Sequence, residues 1–252
     1  TLTGLLHKHY GKQTILLIDE YDVPLDKANQ AGYYDEMAAL IGNLFGMVLK
    51  TNESLYFAVL TGCLRVAKES IFTGLNNFNV LSITNARFEE YFGFTDREVR
   101  RMLGDYGLIG KYELVKTWYD GYRFGRADVY CPWDVINYCA QLCVDPNALP
   151  RAFWANTSGN DILKVFLQKA KASTKREIEK LVEGGIVTKK VNEELTYRDL
   201  DSKIDNLWSI LFTTGYLTQL EQDRDGMTEL IIPNKEIRWI FREQIQEWFE
   251  TE

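Results

Sequence analysis

Hydrophobic positions in the first third of this chain form unbroken runs, and further on they space out at helical intervals. Ile15, Leu16, Leu17 and Ile18 form an apolar run that ends at Asp19-Glu20-Tyr21-Asp22. A run without alternation predicts a strand covered on both faces, as in a parallel sheet with helices on each side. Leu55 to Leu60 (Leu-Tyr-Phe-Ala-Val-Leu) is a second such run, and it ends in Thr61-Gly62. Between them Pro24 breaks the pattern and a polar loop follows through Asn29, Gln30 and Gly32. Met37, Leu40, Ile41, Leu44, Phe45 and Val48 then recur at spacings of three and four, which lays one apolar stripe along a helix. The segment therefore predicts a right-handed βαβ unit with both strand ends on one side. Upstream, Leu2 to Tyr10 reads as a helix closed by Gly11.

Further along, Val80 to Ile83 reads as a short strand, and Thr95-Asp-Arg-Glu98 is a capping box opening a helix that Gly104 ends. Helical patterns over 111–118 and 136–142 enclose an aromatic stretch, Trp118-Tyr-Asp-Gly-Tyr122-Arg-Phe124 and Val129-Tyr-Cys-Pro-Trp133-Asp134. Rings this dense form either a stacking surface or a satellite core between domains, the core being the commoner use. Beyond Pro150 come short helices: one from about Asp161 to Ala170, one opened by a second capping box at Thr174 to Glu177, and one over Asn206 to Thr214 stopped by Gly215. Tyr216 to Leu220, the turn Asp223 to Gly226, and Glu229 to Ile232 predict a hairpin. Ile237, Ile240, Phe241, Ile245 and Phe249 mark a final amphipathic helix from Lys235. Helices followed by a two-stranded wing resemble a winged-helix domain, which binds DNA in some proteins and serves as a lid or docking surface in others. The expected fold is α/β: a partial parallel sheet over 1–92, a helical linker with the aromatic loop over 93–150, and a helical, winged-helix-like part over 151–252.

The chain has 252 residues, 46% hydrophobic and 26% charged, enough for one large or two modest domains with a real core. A net charge of −7 argues against a broad nucleic-acid footprint. Four cysteines show no CxxC pair and the two histidines lie close together near the start, which disfavours a structural zinc site. No segment has the apolar length of a membrane span, and the first residues lack the layout of a signal peptide, so a cytoplasmic location is expected. The first residue is not methionine and the chain opens inside a helix, so it reads as a piece of something longer.

The acids begin where the first strand stops, and in open α/β sheets ligands gather beyond the carboxyl ends of the strands. A hydrophobic strand ending in Asp-Glu is similar to the Walker B pattern of P-loop ATPases. In that reading Asp19 holds the Mg²⁺ of a bound ATP, and Glu20 orients and deprotonates the attacking water. Thr61, at the end of the next strand, stands at the sensor position that touches the γ-phosphate or the water, and Arg65, a better candidate than Lys68, reaches a phosphate. Each residue also has a plainer use. The acids can cap a helix, Thr61 can cap a turn, and Arg65 and Lys68 can be surface charges.

A longer ordered set of strings resembles the AAA-ATPase-like family, P-loop proteins of bacteria and archaea that often carry a C-terminal nuclease-like domain of the PD-(D/E)xK type. The set comprises Leu17-Ile-Asp-Glu-Tyr-Asp22, Leu60-Thr-Gly62, Phe92-Gly-Phe-Thr95, Trp118-Tyr-Asp-Gly-Tyr122 with Val129-Tyr-Cys-Pro-Trp133, Phe153-Trp-Ala-Asn-Thr-Ser158, Leu207-Trp-Ser209, Gly215-Tyr-Leu217 and Ile232-Pro-Asn234. The resemblance implies a Mg²⁺-ATP-dependent switch. The family's Gly-Lys-Ser/Thr phosphate loop is missing from these residues, because Gly11-Lys12 is followed by Gln13. Weak or absent ATP binding by this chain alone is therefore expected, with an interrupted sheet whose open edges are covered by local rearrangement or by another chain, a homo-oligomer included. The competing expectation is a non-catalytic module that binds a protein or DNA partner through its aromatic loop and winged end. Metal-dependent nucleic-acid cleavage by Asp19, Glu20 and Asp22 ranks last, since no basic cleft accompanies them. No nuclease-type acid-then-Glu-x-Lys hairpin follows the wing within these residues.

Overall fold

The computed structural model describes residues 1–63, 70–72, 78–154, 163, 170–193, 195, 204–222 and 226–251. The chain divides into two compact units, residues 1–80 with 192–206, and residues 81–191 with 207–252. The architecture is mixed α/β, with a parallel two-stranded sheet in the first unit.

In the first unit α1 (Leu2–Tyr10) is closed by Gly11 in the left-handed conformation, φ 64°. β1 (Thr14–Ile18) pairs in parallel with β2 (Leu55–Leu60), with Ile15 opposite Phe57, Leu17 opposite Val59 and Ile18 opposite Leu60. α2 (Val23–Ala31) and α3 (Tyr34–Leu49) lie between them in sequence. Pro24 therefore begins a helix where the sequence pattern predicted a break and a polar loop. Its fixed φ and missing N–H suit a first helical turn, where no intrahelical partner is lost. Leu25, Tyr34, Ala38, Ile41, Phe45 and Ile71 form the core, with Ile18 and Leu60 packed against it.

The predicted cover on both sheet faces is not found. Burial alternates along β1 and, from Phe57 on, along β2, and Ile15, Leu17, Phe57 and Val59 are 59, 72, 49 and 40% exposed. The register places these four on one face, opposite the side that meets the core. The apolar run reflects a parallel sheet with an unpaired face, not one buried on both sides.

The second unit opens without the strand predicted at Val80 to Ile83. Ser82 and Asn85 close a turn there, with Ser82 N–H donating to Asn85 Oδ1 and Asn85 N–H to Ser82 O. The capping box at Thr95 and Glu98 forms as predicted and starts α4 (Asp96–Asp105). α5 (Tyr112–Tyr119), a small hairpin of β3 (Tyr122–Phe124) and β4 (Ala127–Val129), and α6 (Pro132–Val144) follow. The aromatic stretch supplies a core, since Tyr119, Tyr130, Tyr138 and Phe153 are buried together with Val99, Leu103 and Val135. The predicted helix over 161–170 falls outside the described residues except for Leu163 and Ala170.

α7 (Ala172–Val182) starts before Thr174, so the second predicted capping box does not form. Glu177 is used otherwise: Lys189 Nζ donates to both its oxygens, at 2.8 and 2.9 Å. Lys189 lies on β5 (Val187–Lys190), a strand the sequence pattern did not reveal. α8 (Ile204–Thr213) is stopped at Gly215, φ 86°, and β6 (Thr218–Gln222) and β7 (Met227–Ile231) form the predicted hairpin before α9 (Lys235–Thr251). These strands make an antiparallel sheet in the order β5-β7-β6. No described helix is long and apolar enough to cross a membrane.

Candidate functional site

Parallel pairing brings the two polar strand ends side by side. Thr61 N–H donates to Ile18 O at 2.9 Å and Tyr21 N–H to Thr61 O at 3.0 Å, carrying the ladder past the strands. Thr61 Oγ1 then donates to Asp19 Oδ1 and accepts Glu20 N–H at 3.1 Å. Glu20 holds φ of +50°, a conformation few residues other than glycine adopt. That turn aims its N–H at Thr61. Asp19 and Glu20 are themselves exposed. The fold thus places Asp19, Glu20 and Thr61 in one hydrogen-bonded group. Arg65 and Lys68 lie outside the described residues.

Two further residues complete the arrangement. Asp22, 1% exposed, accepts Cys63 N–H at 2.9 Å and so ties the residue after the Thr61-Gly62 turn to the start of α2. Gly62 makes this approach possible, because a Cβ there would sit 2.8 Å from Asp22 Oδ1 and 2.8 Å from Tyr21 Cε1. The sequence pattern groups Asp22 with Asp19 and Glu20 as acids beyond the strand end. Its one legible signal was its place just before Val23-Pro24, where a carboxylate commonly precedes a helix. The Cys63 thiol is pushed up by burial, and then by Asp22, Glu20 and Asp26 around it. A protonated thiol there is a poor nucleophile.

Carboxylate and hydroxyl oxygens are hard donors, the kind Mg²⁺ takes, usually with one or two protein ligands plus waters and phosphate oxygens. The site fits that habit. Among the described residues no three His, Cys, Asp or Glu side chains converge to cage an ion, so a cation held at Asp19 would need the rest of its shell from solvent or ligand.

The two strands run parallel, with paired acids beyond the carboxyl end of one and Thr-Gly beyond the carboxyl end of the other, the edge of an α/β sheet where ligands commonly gather. Residues 1–72 match the family model described as Predicted AAA-ATPase. The chain is also similar to a protein of Azotobacter chroococcum mcd 1, printed as "Uncharacterized protein in vnfD 5'region", with 25% identity over 236 residues and 92% of this chain covered. The chain spans 42% of that relative's length. No solved structure matches it.

Proposed function

We propose that Asp19, Glu20 and Thr61 are the metal and sensor side of a Mg²⁺-ATP site, in an ATPase whose phosphate-binding loop lies in sequence beyond these 252 residues. The observation behind this reading is the shared hydroxyl: Thr61 Oγ1 is bonded both to Asp19 and to the Glu20 N–H at adjacent strand ends. Asp19 is the residue to hold the cation, directly or through water. Mg²⁺ bound there would offset negative charge on the phosphate oxygens. Glu20, exposed beside it, accepts a proton from the attacking water. Thr61 holds Asp19 in place and lies where a terminal phosphate would be felt, and Arg65 is a candidate phosphate contact. ATP binding by this chain alone is weak, because no G-x-x-x-x-G-K-[ST] string supplies the amides and lysine that cradle phosphates.

Titration calorimetry of Mg²⁺-ATP tests this in the present chain and in a longer one carrying a phosphate loop. Binding by the longer chain only, weakened at least tenfold by Asp19→Asn, with turnover lost and binding kept in Glu20→Gln, is the expected result. Equal behaviour of the two chains, or turnover unchanged in Glu20→Gln, overturns it.

A second reading, an interaction module for a protein or DNA partner, draws on the second unit. Among the described elements the order helix, strand, helix, hairpin, with β7 between β5 and β6, resembles a winged-helix arrangement and supports that reading of the C-terminal part. The unpaired apolar face of β1 and β2 likewise suits cover by another chain, a second copy included. Under this reading Glu20→Gln changes nothing measurable, and binding follows the C-terminal part.

A further inference from the structure

Three of the strings singled out in the sequence converge in the second unit at two buried carboxyls. Asp134 ends Tyr130-Cys-Pro-Trp-Asp134 and Glu236 ends Ile232-Pro-Asn-Lys-Glu236, and each is 1% exposed. Trp154 of the third string donates its N–H to Glu236 Oε1 at 2.9 Å, and the Phe153 amide lies beside this carboxyl. The carboxyls of Asp134 and Glu236 lie within reach of a hydrogen bond to each other. Two carboxylates cannot form that bond, since neither has a hydrogen to give. Among the described residues no N–H or hydroxyl donates to Asp134 Oδ1, which is buried, and neither acid makes an ion pair.

Among the described residues no nearby cation offsets two negative charges. The Cys131 thiol, at the start of α6, and the phenols of Tyr122 on β3 and Tyr119 on α5 lie beside the pair. Burial keeps this thiol and both phenols protonated. The cations next in sequence point elsewhere, with Lys235 Nζ over the Trp118 ring and the Arg238 guanidinium near Gly184. Both acids sit in the first turn of a helix, where the helix dipole favours one negative charge.

We propose that Asp134 and Glu236 share one proton at neutral pH and act as a pH-sensitive clasp joining the first turns of α6 and α9 to the Phe153–Trp154 segment. The remaining charge is met by the helix termini and the Trp154 and Phe153 amides. Removing the shared proton puts two anions in contact in an apolar setting, and the clasp opens. Burial, followed by the charge of Asp134, pushes Glu236 up to about 9, and burial raises Asp134 as well. The sign follows from proton counting. Above the ordinary carboxylate range the unfolded chain has lost both protons while the folded chain keeps one, so the folded state weakens as pH rises until the pair titrates.

Urea unfolding of the 252-residue chain, followed by circular dichroism from pH 6 to pH 8, tests the clasp below the range where free thiols titrate. The folding constant is expected to fall by up to about tenfold per pH unit. Glu236→Gln, which keeps a donor and needs no proton, should flatten the slope and resist urea better than the parent at pH 8. A flat parent profile, or an unchanged slope in Glu236→Gln, overturns the proposal. Should that variant not fold, ¹³C-carboxyl labelling of aspartate and glutamate in the parent decides. A carboxyl signal in the protonated position at pH 7 supports the clasp, and aspartates and glutamates that are all ionised at pH 7 refute it.

Discussion

At Gly62 a single missing carbon decides whether Asp22 can reach the Cys63 amide. Gly62→Ala would force Asp22 and the Tyr21 ring aside, and overpacking of this kind costs about 1–3 kcal/mol. Loss of urea resistance in that range, together with a shifted Cys63 amide resonance, is the expected outcome. Asp22→Ala should cost about 1–3 kcal/mol through the unpaired Cys63 N–H, while Asp26→Ala, which removes only the bond from Gln30 one turn along the same helix, should cost about 0.2–0.5 kcal/mol. Urea midpoints compare the two directly. The role of Asp22 was not legible in the sequence because its partner is 41 residues away. Asp19 and Glu20 were legible as candidates because their meaning depends on the strand that immediately precedes them. Asp96 offers a third test. Burial pushes its carboxyl up, but hydrogen bonds from Tyr112, Arg100 and Tyr130 and the Arg100 charge outweigh that and hold it at about 2. Its stabilisation is therefore present above the unfolded value of 3.8 and lost as pH falls through about 2. Asp96 and Arg100 are half exposed, so the effect is under about 1 kcal/mol. Tyr112→Phe should begin to unfold at a higher pH in an acid titration.

Among the elements, those set by local chemistry were readable and those set by distant partners were not. α1 with its closing glycine, α4 with its capping box and the β6–β7 hairpin each carry their signal within a few residues. β5 carries none, since Val-Thr-Lys-Lys becomes a strand only because β7 lies beside it. The second capping box fails for a related reason, Glu177 being drawn to Lys189 on that unforeseen strand. The apolar run of β1 shows a different limit, because residue type cannot distinguish a face that is covered from one that is open. Leu17→Lys on the open face should leave stability within about 0.5 kcal/mol, while Leu25→Ala in the core should lose about 2–5 kcal/mol. Paired urea titrations check the contrast, and comparable losses would mean that the β1–β2 face is covered after all.

On the scale of the whole chain, the candidate nucleotide residues and the acid pair belong to different compact units. All six tryptophans, at 118, 133, 154, 208, 239 and 248, fall in the second unit. The unit holding Asp19, Glu20 and Thr61 has no indole of its own. Indole emission is thus assigned by the sequence to one unit: Trp154 donates its amide to Glu236 and Trp133 adjoins Asp134, so the clasp has indoles at its edge. A pH titration read by emission should see the clasp open. A nucleotide titration read by indole emission has no indole in the unit that would bind, and a tryptophan in place of the exposed Tyr56 would give that unit an indole signal of its own.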